Sequence, residues 1–182
     1  VAETGAQVQS ELIREVNVFA VSNSAADDSE ERERIAEERF EQVRSSLQSQ
    51  EQNGRLVVER IDDEIIIRIA SQDSFQSGGA NLTSQFQLLL ADVARSIEAV
   101  ARRVRVEGHS DNQPIAFSDE FRSNWDLSAA RASNVTTELL QRPTLENARF
   151  SIVGFADTVP VATNETAEGR ALNRRIEIKL SD

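Results

Sequence analysis

The sequence has no cysteine, no methionine and no tyrosine, and it has one histidine and one tryptophan among 182 residues. Without cysteine, neither a disulfide nor a thiolate metal site can form, and a single histidine leaves only oxygen ligands for a metal. No run approaches the roughly 18 apolar residues that a membrane span requires. The start at Val1 and the absence of methionine indicate a fragment of a longer chain. We therefore expect no cofactor and no metal.

Positive charge is also scarce, with 20 Lys and Arg residues against 31 Asp and Glu residues and a net charge of -11. Nucleic-acid binding needs a basic surface, so this balance argues against a nucleic-acid partner. Arg170, Arg174 and Arg175 form a small basic island near the C-terminus. The length and a hydrophobic content of 39% suit one domain preceded by a lead-in segment.

The lead-in divides into two parts by composition. Residues 1–29 are rich in Ala, Ser, Glu and Asn, which predicts a flexible linker, and residues 30–54 predict a helix that ends at Asn53 and Gly54. Its apolar seam is short, consisting of Ala36, Phe40, Val43 and Leu47. Such a seam could pack on the domain or on a second copy. Because it buries little surface, we expect reversible docking and a role as a regulatory tether.

Residues 55–182 are predicted to form the domain. A strand hairpin turns at Asp62 and Asp63, and a helix with a regular apolar stripe runs from Leu82 to Ile97. A strand over residues 104–107, a helix from Leu127 and strands over residues 150–153 and 175–180 follow. This alternation predicts an α/β (α+β) two-layer sandwich, in which helices cover mainly one face of a mixed sheet.

The polar cluster after the strand at residues 104–107 contains Asp111, and the next helix carries Arg131 on the apolar row of Leu127, Val135 and Leu139. An arginine in that position requires an anionic partner, for which a carboxylate is best suited. Two interpretations remain open from the residues alone. Asp111 neutralises Arg131 as a structural ion pair, or the two stand apart and bind the two ends of one zwitterionic ligand.

Three motifs carry a family resemblance. GHSDN at residues 108–112, Asn124 followed by LSAARA, and NRR at residues 173–175 resemble the OmpA-like peptidoglycan-binding domain. The longer segments NQPIAFSDEFRSNWDLSAARA and EGRALNRRIEI are similar to the periplasmic region of MotB/PomB-type stator B subunits of the flagellar motor. The resemblance covers residues 71–180. It implies a βαβαββ core and assigns to Asp111 and Arg131 the binding of diaminopimelate in the peptidoglycan stem peptide, which favours the ligand interpretation.

The resemblance implies a periplasmic domain of a protein anchored in the inner membrane, a homodimer and a stator A subunit as partner. The predicted peptidoglycan-binding residues are Asp111, Arg131, Asn124, His109, Leu127, Arg170 and Arg174. Asn124 either binds the ligand or braces the loop, and His109 also has a structural interpretation as a hydrogen-bonding residue that shapes the loop.

Catalysis is the competing class of function. His109, Ser110 and Asp111 are adjacent in sequence, but neighbours on an extended segment point in alternating directions, so a triad is not expected. Trp125 is expected to plug the core beneath the loop rather than to stack on a sugar. The predicted function is a non-catalytic cell-wall anchor of a motor stator. The alternatives are an envelope hydrolase acting on peptidoglycan and an OmpA-like anchor of another envelope protein.

Overall fold

Five strands form one mixed sheet in the computed structural model, which describes residues 3–100, 102–115 and 120–181. The strands are β1 (Val57–Ile61), β2 (Glu64–Ala70), β3 (Arg103–His109), β4 (Arg149–Ala156) and β5 (Arg175–Ser181). Their order in the sheet is β1-β2-β5-β3-β4. Strands β3 and β4 run parallel, whereas the other neighbouring pairs run antiparallel. The prediction of a mixed sheet is confirmed.

The helices are α1 (Glu3–Gln52), α2 (Ser84–Ile97), α3 (Asn124–Leu139) and α4 (Ala167–Asn173), with a 3-10 turn at Pro143–Asn147. The order β2-α2-β3-α3-β4-β5 contains the expected βαβαββ core, and α4 lies between β4 and β5, where only a loop was predicted. Thr166 begins this short helix by accepting a hydrogen bond from the Gly169 N–H. None of the helices in the described ranges combines the length and apolarity that a bilayer crossing needs.

One face of the sheet packs against the helices. Val104 and Val106 of β3 are fully buried in the main core, whereas the intervening Arg105 and Glu107 belong to the other face. The helices contribute their apolar stripes to the same core, including Leu90 and Val93 of α2 and Val135 and Leu139 of α3. The two-layer architecture is therefore confirmed.

The chain forms two compact units, residues 1–39 and 40–182, so the last turns of α1 belong to the same unit as the sheet. Val43 and Leu47 are fully buried in the main core. Gln50 Nε2 donates to Asp92 Oδ2 at 2.8 Å, and Glu51 Oε1 accepts from the Val58 N–H at 2.9 Å. This part of the seam docks on the domain through polar as well as apolar contacts.

Helix α1 is longer than predicted, because it begins at Glu3 rather than near residue 30. The sequence between Gly5 and Gly54 contains neither glycine nor proline, so nothing there interrupts a helix. The predicted end is confirmed: Gly54 has φ +67°, and its N–H donates to the Glu51 carbonyl. The division of the chain into linker, tether helix and domain remains a prediction.

Candidate functional site

Asp111 follows the end of β3, and its side chain is 10% exposed. Its Oδ2 accepts a hydrogen bond from Arg174 Nη1 at 2.5 Å, and its Oδ1 accepts from the Gln113 N–H at 3.0 Å. The charge partner of Asp111 is therefore Arg174, which extends from the start of β5. An internal ion pair between Asp111 and Arg131, one of the two interpretations left open by the residues, is not formed.

Arg131 is fixed by an uncharged partner and an aromatic ring. Its Nε donates to the Gly79 carbonyl at 2.9 Å, and its guanidinium carbon lies 4.7 Å from the centre of the Phe75 ring. No carboxylate in the described ranges lies within 4.0 Å of its guanidinium nitrogens. Burial, and to a smaller extent the charge of Arg174, lowers the pKa of Arg131, whereas the charge of Asp111 raises it, and the net result is a pKa of about 10.

This electrostatic setting favours an anionic ligand. Arg131 stays protonated at neutral pH with a pKa of about 10, yet burial disfavours its charge. Because Nε is already bound to Gly79, the rest of the planar guanidinium fork is available for a carboxylate. With Asp111 and Arg174 nearby, the group has one more positive than negative charge. A ligand carboxylate would restore the balance.

Asn124 braces the loop that carries Asp111. Its Nδ2 donates to the Asp111 carbonyl at 3.2 Å and to the Gln113 carbonyl at 2.9 Å, so the amide is used within the protein. Asn124 is the first residue of α3, and Ser123 caps the helix by accepting from the Asp126 N–H at 3.3 Å. The helix therefore begins three residues before Leu127, where its apolar pattern starts.

The loop between β4 and α4 supports the loop that carries Asp111. The Asn173 side chain is fully buried; its Oδ1 accepts from the Val161 and Ala162 N–H groups, and its Nδ2 donates to Asn164 Oδ1. Asn164 Oδ1 also accepts from the Asn112 N–H at 3.4 Å. A chain of amides thus links the α4 end to the loop of Asp111. Arg170 holds the loop between β4 and α4 by donating to the Asn164 carbonyl at 2.8 Å.

His109 does not join this group. Its ring is 2% exposed, stacks on Phe155 with centroids 5.2 Å apart, and places Nε2 3.3 Å from Glu107 Oε2. Glu107 lies directly opposite Glu177 across β3 and β5, and with His109 these residues bring one metal-ligand atom each within 4.8 Å. Cations already contact the two carboxylates: Arg68, Arg105, Arg175 and Lys179. We assign this network to the stability of the sheet, as in the structural interpretation of His109.

The network predicts a specific loss of stability in acid. Burial alone raises the pKa of Glu177, but hydrogen bonds and charge from Arg175, with a hydrogen bond from Arg68, outweigh it and lower the pKa to about 2. A carboxylate with a lowered folded-state pKa stabilises the fold above its unfolded pKa of about 4.5, and this stability is lost as the pH falls toward 2. The contribution of Glu177 is about 3 kcal/mol.

We therefore expect Glu177→Gln to be less stable than the wild type at pH 7, and the difference to shrink as the pH approaches 2. Urea denaturation at pH 7, 4 and 2.5 measures it. The matched control is Glu64→Gln, because Glu64 is a partly exposed residue of the neighbouring strand, with 39% of its side chain accessible. A difference between Glu177→Gln and wild type that is constant over this pH range would contradict the assignment.

The structure brings together four of the seven predicted residues: Asp111, Arg131, Arg174 and Asn124. Leu127 lies beside them at 8% exposure in a small apolar cluster with Ala80 and Phe121. His109 and Arg170 serve the protein's own loops and strands. The group that surrounds Asp111 and Arg131 is accordingly smaller than the predicted set.

Sequence reasoning missed the residues that seat Arg131 and the loop. Phe75 is a core residue with 7% exposure, and its second role beneath Arg131 was not predicted. Gly79 contributes its backbone carbonyl oxygen to Arg131, and such a contact cannot be predicted from the residue type. Asn164 had no motif to mark it. The NRR motif marked Asn173 as part of the resemblance, but its hydrogen bonds to the Val161 and Ala162 N–H groups are evident only in the fold.

The fold and these residues define the class of protein. A mixed sheet with helices on one face, an aspartate after β3 and an arginine on α3 are joined in one small domain. Residues 74–174 match the model of the OmpA family, which covers more than half of the chain. The chain belongs to the OmpA family.

The chain is also similar to several named proteins. Motility protein B of Bacillus subtilis is 34% identical over 138 residues, which are 75% of this chain and 52% of that protein. Another Bacillus subtilis relative is matched over 64% of its length, so the chain spans only part of the curated proteins that it resembles. The cell wall anchor of the T6SS from Pseudomonas aeruginosa is 39% identical, with a TM-score of 0.72, covering 78% of this chain and 98% of that chain.

The periplasmic domain of Helicobacter pylori MotB is a further structural neighbour. It is 28% identical with a TM-score of 0.61, covering 70% of this chain and 82% of that chain. The recognition of an OmpA-family domain similar to the MotB periplasmic region is therefore confirmed.

Proposed function

We propose that this domain is a non-catalytic anchor that binds peptidoglycan through the diaminopimelate of the stem peptide. The observation that carries the proposal is Arg131, which is half-buried, has no carboxylate partner in the described ranges and lies in the electrostatic field of Asp111 and Arg174. The similarity to a cell wall anchor and to MotB periplasmic domains supports it.

The free end of diaminopimelate carries an ammonium group and a carboxylate on one carbon. In the proposed complex, Arg131 holds this carboxylate through its Nη atoms, while Nε stays on Gly79. The ligand ammonium binds Asp111, which has lone pairs beyond those used by Arg174 and Gln113. Arg174 pairs with Asp111 and adds a second positive charge beside the ligand carboxylate. Asn124 holds the loop in the geometry that this grip requires.

An anchor fits this group better than a hydrolase does. Hydrolysis of the same polymer requires a nucleophile, a base or a metal at a convergent site. The chain has no cysteine, and its one histidine is buried against Glu107 and Phe155 rather than beside Asp111. The side chains that converge on Asp111 and Arg131 supply charge and hydrogen bonds, which bind but do not cleave.

The most specific form of the proposal is a stator role. By similarity to motility protein B, we propose that the domain anchors a flagellar motor stator to the cell wall from the periplasm. In this role it acts as a homodimer, joined through a segment outside this sequence to the inner membrane and a stator A subunit. The domain then resists the torque that ion flow generates elsewhere in the complex.

Co-sedimentation with purified sacculi tests the proposal. Purified protein is mixed with sacculi from a diaminopimelate-containing wall and pelleted, and the supernatant is analysed for released peptides and sugars. We expect protein in the pellet and no increase in soluble fragments. Release of fragments that grows with time would establish the hydrolase instead, and protein that stays in the supernatant would refute peptidoglycan binding.

We also propose that the docked end of α1 regulates the anchor, and a cysteine pair tests this. Gln50 and Asp92 are joined by a side-chain hydrogen bond, and the chain has no native cysteine to interfere. In the full-length protein, Gln50→Cys with Asp92→Cys is expected to lock the docked helix when a short, disulfide-containing thiol cross-linker joins the two cysteines. Cells that carry it should lose motility when cross-linked and regain it when the linker is reduced. Motility that persists at full cross-linking would show that the helix is a passive spacer.

A further inference from the structure

Trp125 is 52% exposed, contrary to the expectation that it plugs the core. The reason lies in where α3 begins. Ser128 faces the sheet, where its Oγ accepts from the Ala156 N–H, and Trp125 lies one turn before it on the flank of the helix. A large indole face is thus presented to solvent at the end of α3 that carries Asn124.

The backbone beneath this ring is fixed on two sides. The Trp125 carbonyl accepts a hydrogen bond from Ser128 Oγ at 3.2 Å, and the preceding residue, Asn124, is tied to the loop of Asp111. That loop also exposes two amide side chains, those of Asn112 and Gln113. The two are joined by a hydrogen bond from Gln113 Nε2 to Asn112 Oδ1 at 3.3 Å. An exposed aromatic face on the residue after Asn124, with exposed amides on the loop that Asn124 holds, is suited to a sugar, whose C–H face is apolar and whose hydroxyl and acetamido groups need hydrogen bonds.

We propose that Trp125 is a stacking platform for a sugar ring of the glycan strand that bears the stem peptide. The inference rests on the proposed function and extends it from the peptide to the glycan. Distance supports it. Six positions separate Trp125 from Arg131 on α3, which is about 9 Å of helix rise and about 120° around the helix axis. The two residues between diaminopimelate and the muramic acid span about 7 Å when extended, before the linking lactyl group is added.

Binding at both places gives the ligand a defined direction. Diaminopimelate lies at Arg131 and Asp111, the stem peptide passes the loop of Gln113, and the sugar reaches Trp125. The two contacts are covalently linked in the polymer, so the second forms at high effective concentration once the first has formed. A domain that reads peptide and glycan together distinguishes the intact wall from free stem peptides.

The single tryptophan makes the test direct, because all indole fluorescence comes from Trp125. The protein is titrated with a disaccharide-tripeptide fragment of peptidoglycan and, separately, with the same tripeptide without sugars. We expect the disaccharide fragment to bind about tenfold more tightly and to shift the emission. Trp125→Ala should lose this advantage, measured by calorimetry, and bind the tripeptide as the wild type does. Leu88→Ala is the control, since Leu88 is 70% exposed on α2.

Each other outcome overturns the inference in a recognisable way. Equal affinity of the wild type for both ligands refutes the platform while leaving the peptide grip intact. A Trp125→Ala variant that loses tripeptide affinity as well indicates a role in holding the loop. Emission that changes with protein concentration instead of glycan indicates contact between copies. If neither ligand binds, the proposed function itself fails.

Discussion

Arg131→Ala is expected to reduce the affinity for sacculi by roughly 10- to 150-fold, which corresponds to losing a charge-assisted contact of about 1.5 to 3 kcal/mol. The fold should survive, because Arg131 contacts one carbonyl oxygen and one ring and has no ion pair to a described residue within 4.0 Å. Arg131→Lys should restore only part of the affinity, since an ammonium keeps the charge but lacks the planar fork. Quantitative co-sedimentation gives the affinities.

The matched control is Arg122→Ala. Arg122 lies just before α3, its side chain is 92% exposed, and its pair with Asp126 stays near the surface. The change removes the same charge from the same region, so it isolates specific contact from general electrostatics. If Arg122→Ala weakened binding as much as Arg131→Ala, the proposed contact between Arg131 and the ligand carboxylate would be wrong. The basic character of the surface would then explain the affinity.

Asp111→Asn separates the ligand role of Asp111 from its pairing with Arg174. Asparagine can still accept from the Gln113 N–H, so the loop turn should persist. If Asp111 binds the ligand ammonium, Asp111→Asn should lower the affinity more than Arg174→Ala does. Equal losses in the two variants would mean that the internal pair, and not the ligand contact, accounts for the effect.

Gly108→Ala is expected to destabilise the domain strongly. A Cβ at Gly108 would lie 2.0 Å from the Ser128 carbonyl oxygen and 2.8 Å from its carbonyl carbon, both of which are backbone atoms of α3. Helix α3 must then move off the sheet, which costs about 3 kcal/mol. Asn124 moves with the helix, so the loop of Asp111 loses its brace. Chemical denaturation and co-sedimentation together measure both effects.

Gly79→Ala is the control for this substitution. Its nearest atom to an added Cβ is the Gln76 carbonyl oxygen at 3.6 Å, an ordinary contact, and its φ is not positive. We expect a change within about 0.5 kcal/mol in the free energy of unfolding. A Gly108→Ala variant as stable as Gly79→Ala would contradict the close packing of α3 on β3.

Periodic elements of the domain could be predicted because their burial repeats along the chain. The stripe of α2 and the alternation in β3 and β5 assign residues to the core without any knowledge of their partners. Helix α1 was predicted too short, since its sequence lacks the regular apolar face by which helices are recognised but also lacks any residue that stops a helix. Helix α4 was missed because seven residues are too few for a periodic signal.

The candidate site could be predicted in part. The motifs marked Asp111 and Arg131, but the partner of Asp111 depends on how β5 lies beside β3, which brings Arg174 to the end of the neighbouring strand. The seat of Arg131 uses a backbone carbonyl from a loop 52 positions away, and such contacts leave no trace in residue type. Trp125 was misplaced because a single aromatic residue carries no information about which flank of a helix it occupies.

The most direct test of the central claim is calorimetric titration of the wild-type domain with two stem tripeptides. One ends in diaminopimelate and the other in lysine, which has the same side-chain ammonium but lacks the distal carboxylate. The account predicts that the diaminopimelate peptide binds at least tenfold more tightly and that this preference disappears in Arg131→Ala. Equal binding of the two peptides by the wild type would contradict a grip that uses Arg131 for the carboxylate and Asp111 for the ammonium.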